Sequence, residues 1–235
     1  MLPQEVHDWL DQQRQQGYLL PPLEPPACCE RCQRPMDADG PWRTCYDCGR
    51  THGPALSRVV AATYGADGTP PWQLLVQAKY ETLAPEAVAA RVTFIAAAIW
   101  ETIETVASQF FEGGQNYTVA IPSEAKLLGR CANDASSRGW PALGFVAGLR
   151  AEDRPGQTGQ AADARREAAQ GKYIFDGDLS GANVLLLDDV YTSGYTMHDV
   201  ARAVREAGAT SVIGVVYARR VFSDAMALYR EAQGV

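Results

Sequence analysis

The chain has 235 residues, 46% of them hydrophobic, which is enough for one medium domain with a real core plus a small accessory module, and too apolar for wholesale disorder. A net charge of −7 and a pI near 5.0 argue against non-specific nucleic-acid binding over the whole surface, because phosphate contacts need clustered Lys and Arg. The first twenty residues lack the apolar core of a leader, and the longest largely apolar stretch, Val92–Trp100, is about half of a membrane span, so a cytoplasmic protein without membrane contact is expected.

Residues 3–15 read as a short polar helix. Gly17 and Pro21, Pro22, Pro25 and Pro26 end it and open a stiff, extended linker. The expected division is residues 1–27 as helix and linker, 28–52 as a cysteine module, and 53–235 as the main domain. Arg14, Arg31, Arg34, Arg43 and Arg50 are a local hint of a basic patch near the module.

Cys29-x2-Cys32, twelve residues, then Cys45-x2-Cys48 form two knuckles whose four thiolates complete a tetrahedral Zn²⁺ site. Four protein ligands leave no open position, so the zinc is expected to be structural. Only Cys29, not Cys28, has the two-residue spacing, and His52 is a weaker alternative ligand. A redox dithiol pair or disulfides are the competing readings. Cys131 reads as a core thiol.

Ser57–Tyr64 reads as a strand and Gly65–Pro71 as a turn. Trp72–Ala78 is an apolar run leading into Lys79-Tyr80. Pro85 opens a long helix with Val88, Val92, Ile95, Ile99, Ile103, Val106 and Phe110 on one face, closed by Gly113-Gly114. Then follow a strand at Asn116–Ile121, a helix at Glu124–Arg138, a strand at Leu143–Leu149 and a polar loop with some helix at Arg150–Gly171. A buried strand at Asn183–Leu187, a helix at Met197–Ala207 and a buried strand at Ser211–Tyr217 complete the pattern. Continuous apolar strands alternating with helices indicate a parallel α/β sheet covered on both faces.

The segment Val184–Thr196 reads VLLLDDVYTSGYT. An apolar strand delivers Asp188 and Asp189, and the loop Thr192-Ser193-Gly194-Tyr195-Thr196 runs into a helix. Such a loop directs backbone N–H groups and hydroxyls at a monophosphate, and Gly194 permits close approach. The carboxylates in front suit sugar hydroxyls or a hydrated Mg²⁺. The competing reading is an ordinary strand–turn–helix with surface Asp residues, which explains two adjacent carboxylates at a buried strand end poorly, because they repel.

This arrangement resembles the PRPP-binding motif of type I phosphoribosyltransferases. With the four-cysteine ribbon, Lys79-Tyr80, the strand ending in Ile121-Pro122, and the spacing Gln157, Arg165, Gly171, Tyr173, the chain is similar to the ComF/GntX-type phosphoribosyltransferase-like proteins over roughly residues 28–220. The resemblance implies a type I phosphoribosyltransferase fold that binds PRPP with Mg²⁺ and passes 5-phosphoribose to an unknown small-molecule acceptor. It implies that Pro122 and Ser123 begin a pyrophosphate loop. Arg150–Gly171 would form a hood in which Arg150 and the catalytic Arg165 meet the pyrophosphate, aided by Lys79. The alternative is a non-catalytic PRPP- or nucleotide-binding regulator, or a DNA-uptake accessory protein, with the ribbon docking a protein or nucleic acid. A homodimer is compatible with either. Some related enzymes have a catalytic carboxylate three residues after the second acid, and here that position is Thr192.

Overall fold

The computed structural model describes residues 1–50, 55–80, 83–110, 115–122, 126–140, 145–151 and 171–234. The main sheet has four parallel strands: β1 (Arg58–Gly65), β2 (Asn116–Ala120), β5 (Asn183–Tyr191) and β6 (Ser211–Arg220), in the order β1-β6-β5-β2. A two-stranded antiparallel piece, β3 (Leu149–Ala151) with β4 (Tyr173–Phe175), stands apart from it. The expected parallel α/β sheet is thus present.

One face of the sheet is covered by α1 (Gln4–Gln15), α3 (Pro70–Tyr80), α4 (Pro85–Phe110) and α5 (Leu127–Ser137), and the other by α6 (Tyr195–Glu206); the short helix α2 (Tyr46–Arg50) belongs to the cysteine segment. The three- and four-residue spacing seen along α4 buries Val88, Val92, Ile95, Ile99, Ile103 and Val106. In β5, alternation sends Leu185 and Leu187 to the α4 side and Val184 and Leu186 to the α6 side. Both faces are therefore apolar, as a doubly covered strand requires. Among the described residues no helix is long and apolar enough to cross a membrane.

Several elements differ from the expectation. The strands β5 and β6 run to Tyr191 and Arg220, past the expected ends at Leu187 and Tyr217, because the two keep pairing through Tyr191 opposite Arg219. The expected strand at 143–149 contributes one bridge, Phe145 beside Thr118, and then turns away. Gly148, at φ +138, makes that turn; a Cβ there would lie 2.6 Å from the Asp176 carbonyl oxygen, so the chain swings into the β3–β4 hairpin. The final helix α7 (Ser223–Gln233) was not anticipated. It lays Tyr229 edge-on against buried Tyr64 with ring centroids 5.0 Å apart.

The Pro-rich segment is docked along β1. Leu19 and Leu23 are buried, Leu20 N–H donates to Thr63 Oγ1 at 2.7 Å, and Tyr64 N–H donates to the Leu20 carbonyl at 3.1 Å. The cysteine segment continues the cover. Val59 N–H donates to the Arg31 carbonyl at 2.7 Å and Ala61 N–H to Gln33 Oε1 at 2.7 Å. An exposed parallel edge is a liability, since unpaired N–H groups invite another strand. Here residues 20–33 satisfy them. At the N-terminus, α1 rests on α4 through buried Leu10, the Trp9–Phe94 edge contact at 5.4 Å and an Arg14–Glu101 ion pair.

Candidate phosphate and metal sites

The carboxyl end of β5 holds the first site. The register sets Leu187 beside Ala120 and Asp188 beside Val216, and Ile121 N–H donates to the Leu187 carbonyl at 2.8 Å. Pro122 therefore begins its loop next to the acidic pair. Strand alternation turns the two acids to opposite faces. Asp189 is 4% exposed and meets the Lys79 ammonium, Nζ to Oδ2 2.7 Å. Burial works against the Lys79 charge, but Asp189 and then Asp188 outweigh it and hold the ammonium above its usual pKa. Arg130 donates to the Ala78 carbonyl, which fixes the end of α3 that presents Lys79.

Asp188 is the more available acid. It keeps some solvent contact, yet its carboxyl is pushed up to about 8, first by burial and then by the neighbouring Asp189. It accepts the Asp189 N–H at 2.8 Å. Lys79 thus offsets Asp189, while burial and that neighbouring carboxylate favour the protonated form of Asp188.

Beyond Tyr191 the strand ends in a turn. Gly194 adopts φ +82 and caps α6, which carries no side-chain N-cap. The first i−4 bond of the helix is His198 N–H to the Gly194 carbonyl, so the preceding amides, Thr196 and Met197 among them, have no i−4 partner within the helix. A Cβ on Gly194 would stand 2.1 Å from the Tyr191 hydroxyl oxygen. Backbone conformation and space both demand glycine. Tyr195 and Thr196 belong to the first helical turn rather than to the loop, leaving Thr192, Ser193 and Gly194 as the turn itself.

Neither family models nor curated proteins match the chain. Among solved structures it is similar to adenine phosphoribosyltransferase from Saccharomyces cerevisiae, with 19% identity, 59% of this chain and 73% of that chain covered, and a TM-score of 0.36. For hypoxanthine-guanine phosphoribosyltransferase from L. donovani the values are 14%, 55%, 67% and 0.37. For purine phosphoribosyltransferase from Pyrococcus horikoshii they are 17%, 55%, 87% and 0.34. At these scores the likeness is too faint to carry a conclusion about chemistry, which rests on the side chains themselves.

The other expected site residues are less gathered. Arg150 lies on β3 and pairs with exposed Asp176, Nε to Oδ2 2.5 Å. Ser123, Gln157 and Arg165 lie outside the described residues, as does His52. The start of β4 is held by Asp199, a buried α6 residue that accepts the N–H groups of Gly171 and Tyr173, each at 2.8 Å, and Arg202 Nε at 2.9 Å. Asp199 was not anticipated. Its sequence signal was faint: an acid on the apolar side of an amphipathic helix, three residues before an Arg.

The second site is the cysteine cluster. Sγ atoms of Cys29, Cys32, Cys45 and Cys48 all lie within 4.8 Å of one another, and all four residues are buried. A Zn–S bond of about 2.3 Å in a tetrahedron sets sulfurs about 3.8 Å apart, and Cys32 to Cys45 measures 3.7 Å. Cys45 N–H donates to Cys29 Sγ at 3.3 Å, as it would to a thiolate. Without a cation four such sulfurs cannot all ionise. Hydrogen bonding to Cys29 and burial hold Cys32 and Cys48 well above the usual thiol pKa, while their S–H groups hold Cys29 below it. The cluster therefore fits a four-coordinate Zn²⁺. Cys28 stands aside, donating to the Leu23 carbonyl at 2.9 Å, with burial pushing its thiol up to about 12. Cys131 is buried in α5 and likewise pushed up to about 12 by burial.

Between the two sites lies Arg219, only 3% exposed. Its Nη1 donates to the carbonyls of Tyr191 at 2.9 Å, Thr192 at 2.6 Å and Arg220 at 2.9 Å. Its Nε donates to the Cys32 carbonyl at 3.2 Å, and Nη2 lies 3.8 Å from Cys32 Sγ. A charged residue near the end of an apolar strand was the only sign of it in the sequence.

Proposed function

We propose that the chain is a phosphoribosyltransferase that takes PRPP with Mg²⁺ at the carboxyl end of β5 and transfers 5-phosphoribose to a small-molecule acceptor. The observation that carries this reading is the glycine turn fitted around Tyr191, which opens α6 with no side-chain cap six residues after Asp188. A phosphate seat and a hydroxyl-accepting carboxylate so close together suit one phosphorylated sugar. Thr192, Ser193 and Thr196 hydroxyls and the first amides of α6 would hold the 5-phosphate, and Asp188 and Asp189 the ribose.

A Mg²⁺ ion is commonly held by one or two carboxylates plus substrate phosphates; Asp188 fits that role, and the ion would offset charge on the pyrophosphate. In the transfer, the C1–O bond to pyrophosphate breaks with its electron pair on the leaving group, and the acceptor forms the new bond to C1 and sheds its proton. Arg150 and Arg165 of the hood and the loop from Pro122-Ser123 would meet the departing charge. Lys79, bound to Asp189, would orient that acid and reach pyrophosphate only by exchanging partners.

Calorimetry should detect Mg²⁺-dependent PRPP binding that Asp188→Asn with Asp189→Asn weakens by roughly a hundredfold. Finding no PRPP binding would overturn the proposal. Thr192 supports a second reading. Its hydroxyl is no base at pH 7 and its carbonyl is tied to Arg219, so a non-catalytic PRPP- or nucleotide-binding regulator, or a ComF-type DNA-uptake accessory protein, would have the same pocket. Pyrophosphate release across nucleobases, amines and ammonia separates the two: binding without release selects the regulator.

A further inference from the structure

Arg219 belongs to neither site, yet it touches both. Burying a guanidinium is costly unless its donors are satisfied. Here they are satisfied by backbone carbonyls of two distant segments: Tyr191 and Thr192, which lead into the glycine turn, and Cys32, a knuckle cysteine. The guanidinium also lies over the Tyr191 ring, 5.0 Å from its centroid. That ring bounds the space in which Gly194 turns, and its hydroxyl is 3.3 Å from His198 Nε2 in α6. A line of direct contacts therefore runs from Cys32 through Arg219 to Tyr191, which abuts Gly194 and His198 at the start of α6. Four thiolates around one Zn²⁺ carry net negative charge, so a buried cation beside Cys32 is also electrostatically matched to the filled metal site.

We infer that Arg219 is a positioning residue that aims the Thr192–Thr196 turn, and that the metal-filled cysteine cluster holds Arg219 in place, so that anion binding at the turn depends on the metal. The dependence on an anion rests on the proposed function; the dependence of the turn's rigidity on Arg219 does not. Lysine keeps the charge but not the planar fork that spans two carbonyls, so it separates charge from geometry.

The test uses the full zinc-loaded chain, Arg219→Gln and Arg219→Lys, with three readouts: zinc content, amide hydrogen exchange of the peptide covering residues 190–197, and PRPP·Mg²⁺ affinity. Both variants should keep about one zinc per chain, while exchange in that peptide rises, and affinity falls, by roughly tenfold or more in Arg219→Gln, with only partial rescue by Lys. In the Co²⁺-substituted protein, the thiolate-to-metal absorption band should shift in both variants, since a donor beside Cys32 Sγ is lost or displaced. Exchange in residues 190–197 equal to wild type in both variants would overturn the inference. So would exchange that rises equally in β5, β6 and the turn, which is what a purely structural role produces. Should Arg219→Gln fail to fold, the same two exchange outcomes are read from Arg219→Lys. If the wild-type chain binds no PRPP, the proposed function falls, and the exchange and absorption readouts still decide the role of Arg219.

Discussion

The acidic pair and the cysteine cluster pose the same physical problem and solve it differently. Each gathers groups that repel when ionised, in a buried setting. At the acidic pair the compensation comes from within the chain: Lys79 is carried in by α3, 2.7 Å from Asp189, and Asp188 retains its proton up to about pH 8 because of burial and its neighbour. At the cysteines Arg219 reaches Cys32 Sγ from outside, at 3.8 Å, and the four sulfurs are spaced for a metal ion. A site that balances itself with a proton and a lysine can change its charge when a ligand arrives. A site balanced by a closed metal centre is suited to holding structure.

The largest effect expected from this contrast is metal removal. Stripping Zn²⁺, or Cys48→Ser, should unfold residues 28–50 and expose the β1 edge they cover, a loss of several kcal/mol. Zinc analysis with thermal unfolding checks it, and an unchanged melting temperature in the stripped chain would end the structural role. Next, Lys79→Met should leave Asp189 buried without its cation. Because Lys79 is partly exposed, the cost is expected to be about 2–4 kcal/mol, below that of a wholly buried pair. Denaturant unfolding reads it, and the further change Asp189→Asn should restore much of the loss. If the double variant is no better than the single, the pair is not self-balancing.

A smaller structural effect is expected of Gly194→Ala. The added Cβ meets the Tyr191 hydroxyl and the backbone is left-handed, so about 1–3 kcal/mol of stability should go, with ligand affinity falling more than stability. Gly194→Ala with Tyr191→Phe removes the nearest clashing atom and should recover part of it.

The smallest effect is the pH dependence of Asp188→Asn. The unfolded carboxyl ionises near 3.8 and the folded one near 8. The unfolded chain thus gives up its proton first, and this group erodes stability progressively as pH rises through that interval. Asparagine does not ionise and still accepts the Asp189 N–H. The variant should match wild type near pH 4 and exceed it by a few degrees in melting temperature at pH 8; the residual solvent contact of Asp188 keeps the gain modest. A constant difference across pH would show that Asp188 ionises normally.

Much of the architecture was legible because it is written in local periodicity. The α4 stripe from Val88 to Val106, the apolar runs of β5 and β6, and the Cys-x2-Cys spacing each carry their meaning within a few turns of chain. Gly194 was legible for the same reason, as the glycine between an acidic strand end and a helix. The β3–β4 pairing was not, because the apolar run at 143–149 has the composition of a strand, while Gly148 takes a left-handed φ of +138 with the Asp176 carbonyl packed where a Cβ would stand. The partner of Asp189 was equally hidden: Lys79 is 110 residues away in sequence, and an exposed-looking Lys-Tyr at a helix end has no local mark of an ion pair.

By itself, then, the sequence determined the parallel α/β class, the paired spacing of Cys29, Cys32, Cys45 and Cys48, and the strand–turn–helix of Val184–Thr196. Those features depend on side-chain period and short spacing, which act between near neighbours. Only the tertiary structure decided that residues 20–33 seal the β1 edge, that Lys79 answers Asp189, that Asp199 anchors the start of β4, and that Arg219 links Cys32 to the turn at Gly194. Each of these pairs groups that are far apart in sequence. Their driving force is the cost of leaving a buried charge or backbone donor unsatisfied, and which partner satisfies it is settled only when the chain has packed.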